Sequence, residues 1–134
     1  MAKKVLAVDD ESDIRMIIEA VLVSKGYEVN TAVDGEDALV KLNQSKYDLV
    51  ILDIMMPKLD GFGVLKEIRQ RGLTSLPVVM LTAKSTDRDV WKGYEEGVTY
   101  YITKPFENAR LANIIDYLIG DLSPQERARL ETQL

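Results

Sequence analysis

Short runs of consecutive apolar residues alternate along this chain with stretches in which apolar residues recur every three or four positions. Val5–Val8, Leu49–Leu52 and Val78–Leu81 are bounded by charged or turn residues and read as buried strands. Val29–Val33 and Tyr100–Ile102 are weaker examples of the same pattern. Between them the period changes to that of a helix. Ile14, Ile17, Ile18, Val21 and Leu22 form one stripe, from about Ser12 to the stop at Gly26. Ala38, Leu39 and Leu42 follow Asp34-Gly35, and Val64, Leu65 and Ile68 follow Asp60-Gly61 and end at Gly72. Val90, Trp91 and Tyr94 lie between Ser85, placed to cap, and Gly97; Leu111, Ile114, Ile115, Leu118 and Ile119 make a fifth stripe ending at Gly120.

The alternation predicts an α/β fold, (βα)5, in about 120 residues. Strands that are apolar throughout belong to a parallel sheet covered on both faces. Five of them suit the doubly wound order 2-1-3-4-5, whose ligand site lies beyond the carboxyl ends of the strands, beside the switch point between strands 1 and 3. A tail remains. Ser123-Pro124-Gln125-Glu126 combines a capping Ser, Pro at the first helical position and Glu three after the Ser, so an extra C-terminal helix is expected to about Gln133. The expected division is a domain over residues 1–122 and a helical extension over 123–134.

Composition narrows the chemistry more than the fold. The chain has 134 residues, 46% hydrophobic and 29% charged, which suits one globular domain. Its net charge of −5 gives a low expectation of direct nucleic-acid binding. It contains no Cys and no His, which excludes disulfides, Cys/His zinc sites, thiol nucleophiles and any histidine base. The longest apolar run, Leu76–Leu81, is far short of the ~20 residues of a membrane span, and Lys3-Lys4 precedes too short an apolar stretch for a signal peptide. The reading is a cytoplasmic protein without membrane contact, a monomer or weak dimer.

The functional signal lies in the residues just past each strand. Strand 1 runs into Asp9, Asp10 and Glu11; strand 3 into Asp53; strand 4 ends at Thr82; strand 5 leads to Lys104-Pro105. In the predicted fold all of these meet at one edge. Singly, each has an ordinary explanation in turn chemistry or capping; together they describe a pocket. Two unit charges 4 Å apart repel by roughly 4 kcal/mol at an effective dielectric of 20. A divalent cation with oxygen ligands relieves that repulsion, and Mg²⁺ suits few carboxylates and retained waters. One Asp could act as a nucleophile toward phosphorus, with Mg²⁺ and Lys104 neutralising the transferred group and Thr82 and the Ala83 amide donating hydrogen bonds to it.

The segments Val5-Leu-Ala-Val-Asp-Asp-Glu11, Asp48-Leu-Val-Ile-Leu-Asp-Ile-Met-Met-Pro-Lys-Leu-Asp-Gly61, Val78-Val-Met-Leu-Thr-Ala83 and Tyr101-Ile-Thr-Lys-Pro-Phe106 resemble the response-regulator receiver domain, the CheY-like, flavodoxin-like phosphoacceptor of two-component signalling, over about residues 3–120. The resemblance implies that Asp53 is phosphorylated, that Asp10 ligates Mg²⁺ directly and Asp9 through water, and that Met55 offers its backbone carbonyl. It implies that Thr82 and Lys104 bind the phosphoryl group, that Tyr101 turns inward as Thr82 moves, and that the Lys104–Pro105 bond is cis. Met55 and Lys84 would flank the approach of water, and neither orients it well, so a persistent phosphorylated state is expected.

The implied function is a phosphorylation-activated switch, with a histidine kinase or phosphotransfer protein as donor and an unknown protein target. It would catalyse its own phosphorylation and dephosphorylation without being a turnover enzyme. Val98, Thr99 and Tyr100 replace the Ala-Asp-Asp of the family's DNA-binding members, and Ile114 and Asp116 stand on the last helix, so their charged dimer interface is in doubt. Trp91, Tyr94 and Tyr100 suggest an aromatic patch instead. With no effector domain after residue 134, the chain reads as a single-domain regulator or a receiver fragment of a longer one. A haloacid-dehalogenase-type phosphohydrolase, the competing class, needs an Asp two residues after its nucleophile; here Met55 follows Asp53 and Glu11 follows Asp9 at that spacing.

Overall fold

A computed structural model describes residues 2–83 and 97–134. In chain order the described elements are β1 (Lys4–Val8), α1 (Ser12–Ser24), β2 (Glu28–Ala32), α2 (Gly35–Gln44), β3 (Leu49–Asp53), α3 (Gly61–Gln70), β4 (Val78–Thr82), β5 (Tyr100–Thr103), α4 (Asn108–Ile119) and α5 (Pro124–Glu131). The strands form one sheet in the order β2-β1-β3-β4-β5, with every neighbouring pair parallel. The expected doubly wound α/β architecture is therefore present. The helix expected between Ser85 and Gly97, with Val90, Trp91 and Tyr94, lies outside the described residues, as does Lys84.

Alternation along each strand builds two core layers. Val5, Ala7, Leu49, Ile51, Val79 and Leu81 pack on one face with Ile18 and Leu22 of α1 and Leu111, Ile114 and Ile115 of α4. Leu6, Val8, Val50, Leu52, Val78 and Met80 pack on the other with Ala38 of α2 and Val64, Leu65 and Ile68 of α3. Each fully buried Leu or Ile contributes roughly 1.5–3 kcal/mol, so the sheet is clamped between layers that hold its carboxyl edge in register.

Differences from the expected boundaries follow from the ladder. Strands β3 and β4 take in one residue more than their apolar runs, because Asp53 pairs with Leu81 and Thr82 with Thr103. Lys4 pairs with Glu28, which moves β2 one residue earlier and leaves Val33 exposed. Gly26 ends α1 with φ +92°, a conformation that costs L side chains energy. Asp34, Asp60 and Ser123 cap α2, α3 and α5, accepting from the amides of Asp37, Gly63 and Glu126 at 2.8, 2.9 and 3.1 Å. The helix α5 ends at Glu131, two residues before the expected limit. It rests on α4 through buried Leu130, an Arg127 bond to the Tyr117 carbonyl at 2.8 Å and a Tyr117 bond to Glu131 at 2.8 Å.

Gly61 has a separate task. A Cβ there would collide with the carbonyl oxygen of Asp53 and stand 2.8 Å from Ile54 Cα, and the Gly61 amide donates to the Ile54 carbonyl at 2.9 Å. The head of α3 is thus pressed against the end of β3. Helix propensity alone would favour Ala over Gly, yet Gly61→Ala is expected to lower the unfolding free energy by about 1–3 kcal/mol through overpacking. Urea denaturation tests this; a variant as stable as the parent removes the close-approach argument.

Candidate functional site

The carboxyl edge of the sheet gathers the residues that the strand ends announced. Asp9, directly after β1, is fully buried; Asp53, the last residue of β3, is 4% exposed; Asp10 is exposed. Carboxylate oxygens of these three lie within 4.8 Å of one another. Their arrangement is fixed from the backbone outward. The Asp9 amide donates to the Ala32 carbonyl at 3.2 Å, and the Arg15 guanidinium holds the Asp9 carbonyl at 2.7 Å. The Glu11 amide donates to Asp9 Oδ1 at 2.9 Å, and the Met55 amide to Asp53 Oδ1 at 3.3 Å.

Lys104 enters from the loop after β5, where its amide donates to the Thr82 carbonyl at 2.7 Å. Its Nζ lies 2.8 Å from Asp9 Oδ2, 3.4 Å from Asp53 Oδ2 and 3.5 Å from Glu11 Oε1. The Lys104–Pro105 bond is cis, as expected. Thr82 is buried at the end of β4, and Ala83 follows it at the surface. Tyr101 is half-buried in the α2/α3 layer, opposite Met80 in the ladder. The Met55 side chain is 74% exposed.

One lysine does not neutralise this pocket. Burial, and then the charge of Asp9, push the Asp53 carboxyl from 3.8 up to about 6, against the opposing pull of Lys104. Lys104 is discouraged from charging by burial, but its contact with Asp9 and the charges of Asp53, Asp9 and Glu11 outweigh this and raise its pKa. The Lys104–Asp9 contact has the distance of an ion pair but not the direction of a hydrogen bond: Asp9 Oδ2 is buried without a hydrogen-bond partner among the described residues. A buried carboxylate oxygen engaged by the Lys104 ion pair without a hydrogen bond among the described residues, beside two further carboxylates and with no nitrogen or sulfur donor in the set, fits a hard divalent cation of the Mg²⁺ type.

Other expectations meet the structure less simply. Asp116 accepts from the Tyr27 hydroxyl at 2.6 Å and so pins α4 to the start of β2, while Ile114 is core. Tyr100 is half-buried against the α1/α4 layer, so for this residue the core role outweighs membership of a surface patch. Glu11, which follows strand 1 with Asp9 and Asp10 and to which the sequence assigns no role, faces Lys104. Lys58, one turn of loop beyond Asp53, has φ 69° and ion-pairs with Asp34 and Glu36 at 4.0 and 3.8 Å. No periodicity marks such residues.

The chain matches the response regulator receiver domain family over residues 5–116. It is 47% identical over 119 residues to the alkaline phosphatase synthesis transcriptional regulatory protein PhoP of Bacillus subtilis, covering 86% of this chain and 49% of that protein. The chain thus spans about half the length of the curated relatives it matches. Among solved structures, chemotaxis protein CheY4 of Vibrio cholerae aligns with a TM-score of 0.86 at 34% identity, over 89% of this chain and all of that one. The response regulator TrrA of Thermotoga maritima, solved in complex with Mg²⁺-BeF, aligns with a TM-score of 0.78 at 38% identity, over 87% and 99% of the two chains. An acidic edge built on this sheet, and these likenesses, lead to one conclusion: the chain belongs to the response regulator receiver domains of two-component signalling.

Proposed function

We propose that Asp53 is the phosphoacceptor of this receiver domain, that Mg²⁺ is required for its phosphorylation, and that output passes through protein contact. The observation that carries the reading is the buried Asp53 carboxylate at the end of a central strand, 3.4 Å from Lys104 and grouped with Asp9 and Asp10. An Asp53 oxygen attacks the phosphorus of a phosphohistidine on a histidine kinase or phosphotransfer protein. The new O–P bond forms as the N–P bond breaks, and the imidazole nitrogen keeps the electron pair and takes up a proton. Lys104, the Thr82 hydroxyl and the Ala83 amide receive the charge on the phosphoryl oxygens. Asp9, Asp10, Asp53 and the Met55 carbonyl would hold Mg²⁺, which supplies positive charge to the group in transfer.

The phosphoryl group adds roughly −1.5 to −2 charge and strong acceptors. Thr82 and Lys104 are drawn toward it, and Tyr101, next to Ile102 and Thr103 on β5, follows Thr82 inward. Residues 123–134 are read as an extension to a receiver body of residues 1–122. Among the described residues no helix is long and apolar enough to cross a membrane. The charge-based expectation of no nucleic-acid contact gains no support from the relatives, of which PhoP and DltR of Streptococcus agalactiae are transcriptional regulatory proteins.

Intact-mass analysis after treatment with acetyl phosphate and Mg²⁺ tests the assignment. One added phosphoryl group is expected on the parent and none on Asp53→Asn. Labelling that survives the substitution refutes it.

A further inference from the structure

We propose that Glu11 is a positioning residue that tethers Lys104 at the mouth of the pocket and competes with an arriving phosphoryl group for it. The proposal rests on the reading of Asp53 as phosphoacceptor and adds a resting-state contact to it.

Glu11 stands where the local rules favour another residue. It is the N-cap of α1, with extended φ −87° and ψ 117°, and its side chain makes no capping hydrogen bond. Ser, Thr, Asp and Asn are preferred there because their short side chains reach back to the third helical amide. Asp34, Asp60 and Ser123 do so at the heads of α2, α3 and α5. Glu107 at the head of α4 also makes no cap bond; what sets Glu11 apart is where its carboxylate goes. It forms an ion pair with Lys104, 93 residues away, at 3.5 Å. A local choice that leaves a helix end uncapped while making a long-range contact is a mark of a functional position.

The geometry gives the contact a direction. The Lys104 side chain is 14% exposed; Asp9 lies inside it, fully buried, and Glu11 outside, 63% exposed. The Glu11 amide is itself bonded to Asp9 Oδ1, so the outer carboxylate is anchored to the inner one. An ammonium held between these two points has its position set by both. Three phosphoryl oxygens on Asp53 compete for the same N–H groups, and Asp9 can stay in contact while they do. The contact given up is the one with Glu11. An apparent affinity is reduced by the fraction of the protein not yet in the competent state, and the tether lowers that fraction.

Glu11→Asp separates reach from charge. It keeps the carboxylate but shortens it by one methylene, beyond ion-pair distance of Lys104, and supplies a better cap. Calorimetric titration of the full chain with beryllofluoride, a phosphoryl analogue, in saturating Mg²⁺ should show Glu11→Asp and Glu11→Gln both binding about two- to fivefold more tightly than the parent, the range for one partly exposed ion pair. Mg²⁺ alone should bind Glu11→Asp within about twofold of the parent, the scatter of such a measurement on the scale where tenfold is 1.4 kcal/mol. Glu11→Asp that binds beryllofluoride as the parent does, or more weakly, overturns the tether. So does a loss of Mg²⁺ affinity, which would make Glu11 a metal ligand. A parent that binds no beryllofluoride removes the reading of Asp53 itself and this proposal with it; a parent that binds, matched by Glu11→Asp, removes only the tether.

Discussion

Replacing Lys104 by Met is expected to lower the unfolding free energy in metal-free buffer at pH 7 by about 3 kcal/mol, the low end of the range for breaking a buried ion pair. The cause is the company that Lys104 keeps. Among the described residues its ammonium is the cation within 3.5 Å of Asp9, Asp53 and Glu11, two of them buried, and its loss leaves like charges facing each other in a medium that screens them poorly. The loss stays near the low end because Asp53, already up at about 6, can escape by taking a proton. Millimolar Mg²⁺ should restore most of the difference, since a cation that binds only the folded pocket stabilises by mass action. Urea denaturation with and without Mg²⁺ reads both effects. Equal losses in the two buffers would count against a cation among these carboxylates.

Asp53→Asn should move stability the other way. In the folded, metal-free protein this carboxyl is raised from 3.8 to about 6, chiefly by burial. Between those values the folded state binds more protons than the unfolded chain, so the contribution of Asp53 to stability falls as pH rises from about 4 to about 6 and is flat above. With Asp53 only 4% exposed, little screening reduces the penalty, which amounts to about 2–3 kcal/mol at neutral pH. The variant should therefore be more stable than the parent above pH 6 in the absence of metal, with the gap closing toward pH 4. Adding Mg²⁺ should narrow or reverse the gap, because the parent alone offers the third carboxylate. A gap that does not change with pH would show that the benefit of Asn arises elsewhere, in packing or hydrogen bonding.

The main residues of the pocket can be read from the sequence for a physical reason. Asp9, Asp10, Asp53, Thr82 and Lys104 each lie at or beyond the end of an apolar run, and a parallel sheet delivers the ends of such runs to a single edge. Strand period and helix period therefore carried both the fold and the main residues of the site. The residues that support them were harder to see. Arg15 reaches a backbone carbonyl, Glu11 a lysine across the pocket and Asp116 a tyrosine hydroxyl from another layer. These contacts depend on side-chain reach after folding: in the sequence Arg15 and Asp116 are each one more polar residue on a helix, and Glu11 is a strand-end carboxylate with no visible partner. Gly61 shows the intermediate case. As Asp-Gly before an apolar stripe it reads as a helix start, and only packed against the Asp53 carbonyl does its missing side chain become a requirement of the site.

The connectivity of the pocket also sets a schedule for the newborn chain. Its acidic members come from β1 and β3, while the ammonium that holds them together arrives 93 residues after Glu11. At translation rates of 5–20 residues per second, roughly 5–20 s separate Glu11 from Lys104, and about half of that separates Asp53 from Lys104. When Asp53 is made, β4, β5 and Lys104 have still to be synthesised. On the proposed reading of Asp53 and Lys104, phosphate-accepting competence would therefore be complete only after the loop following β5 has emerged from the ribosome.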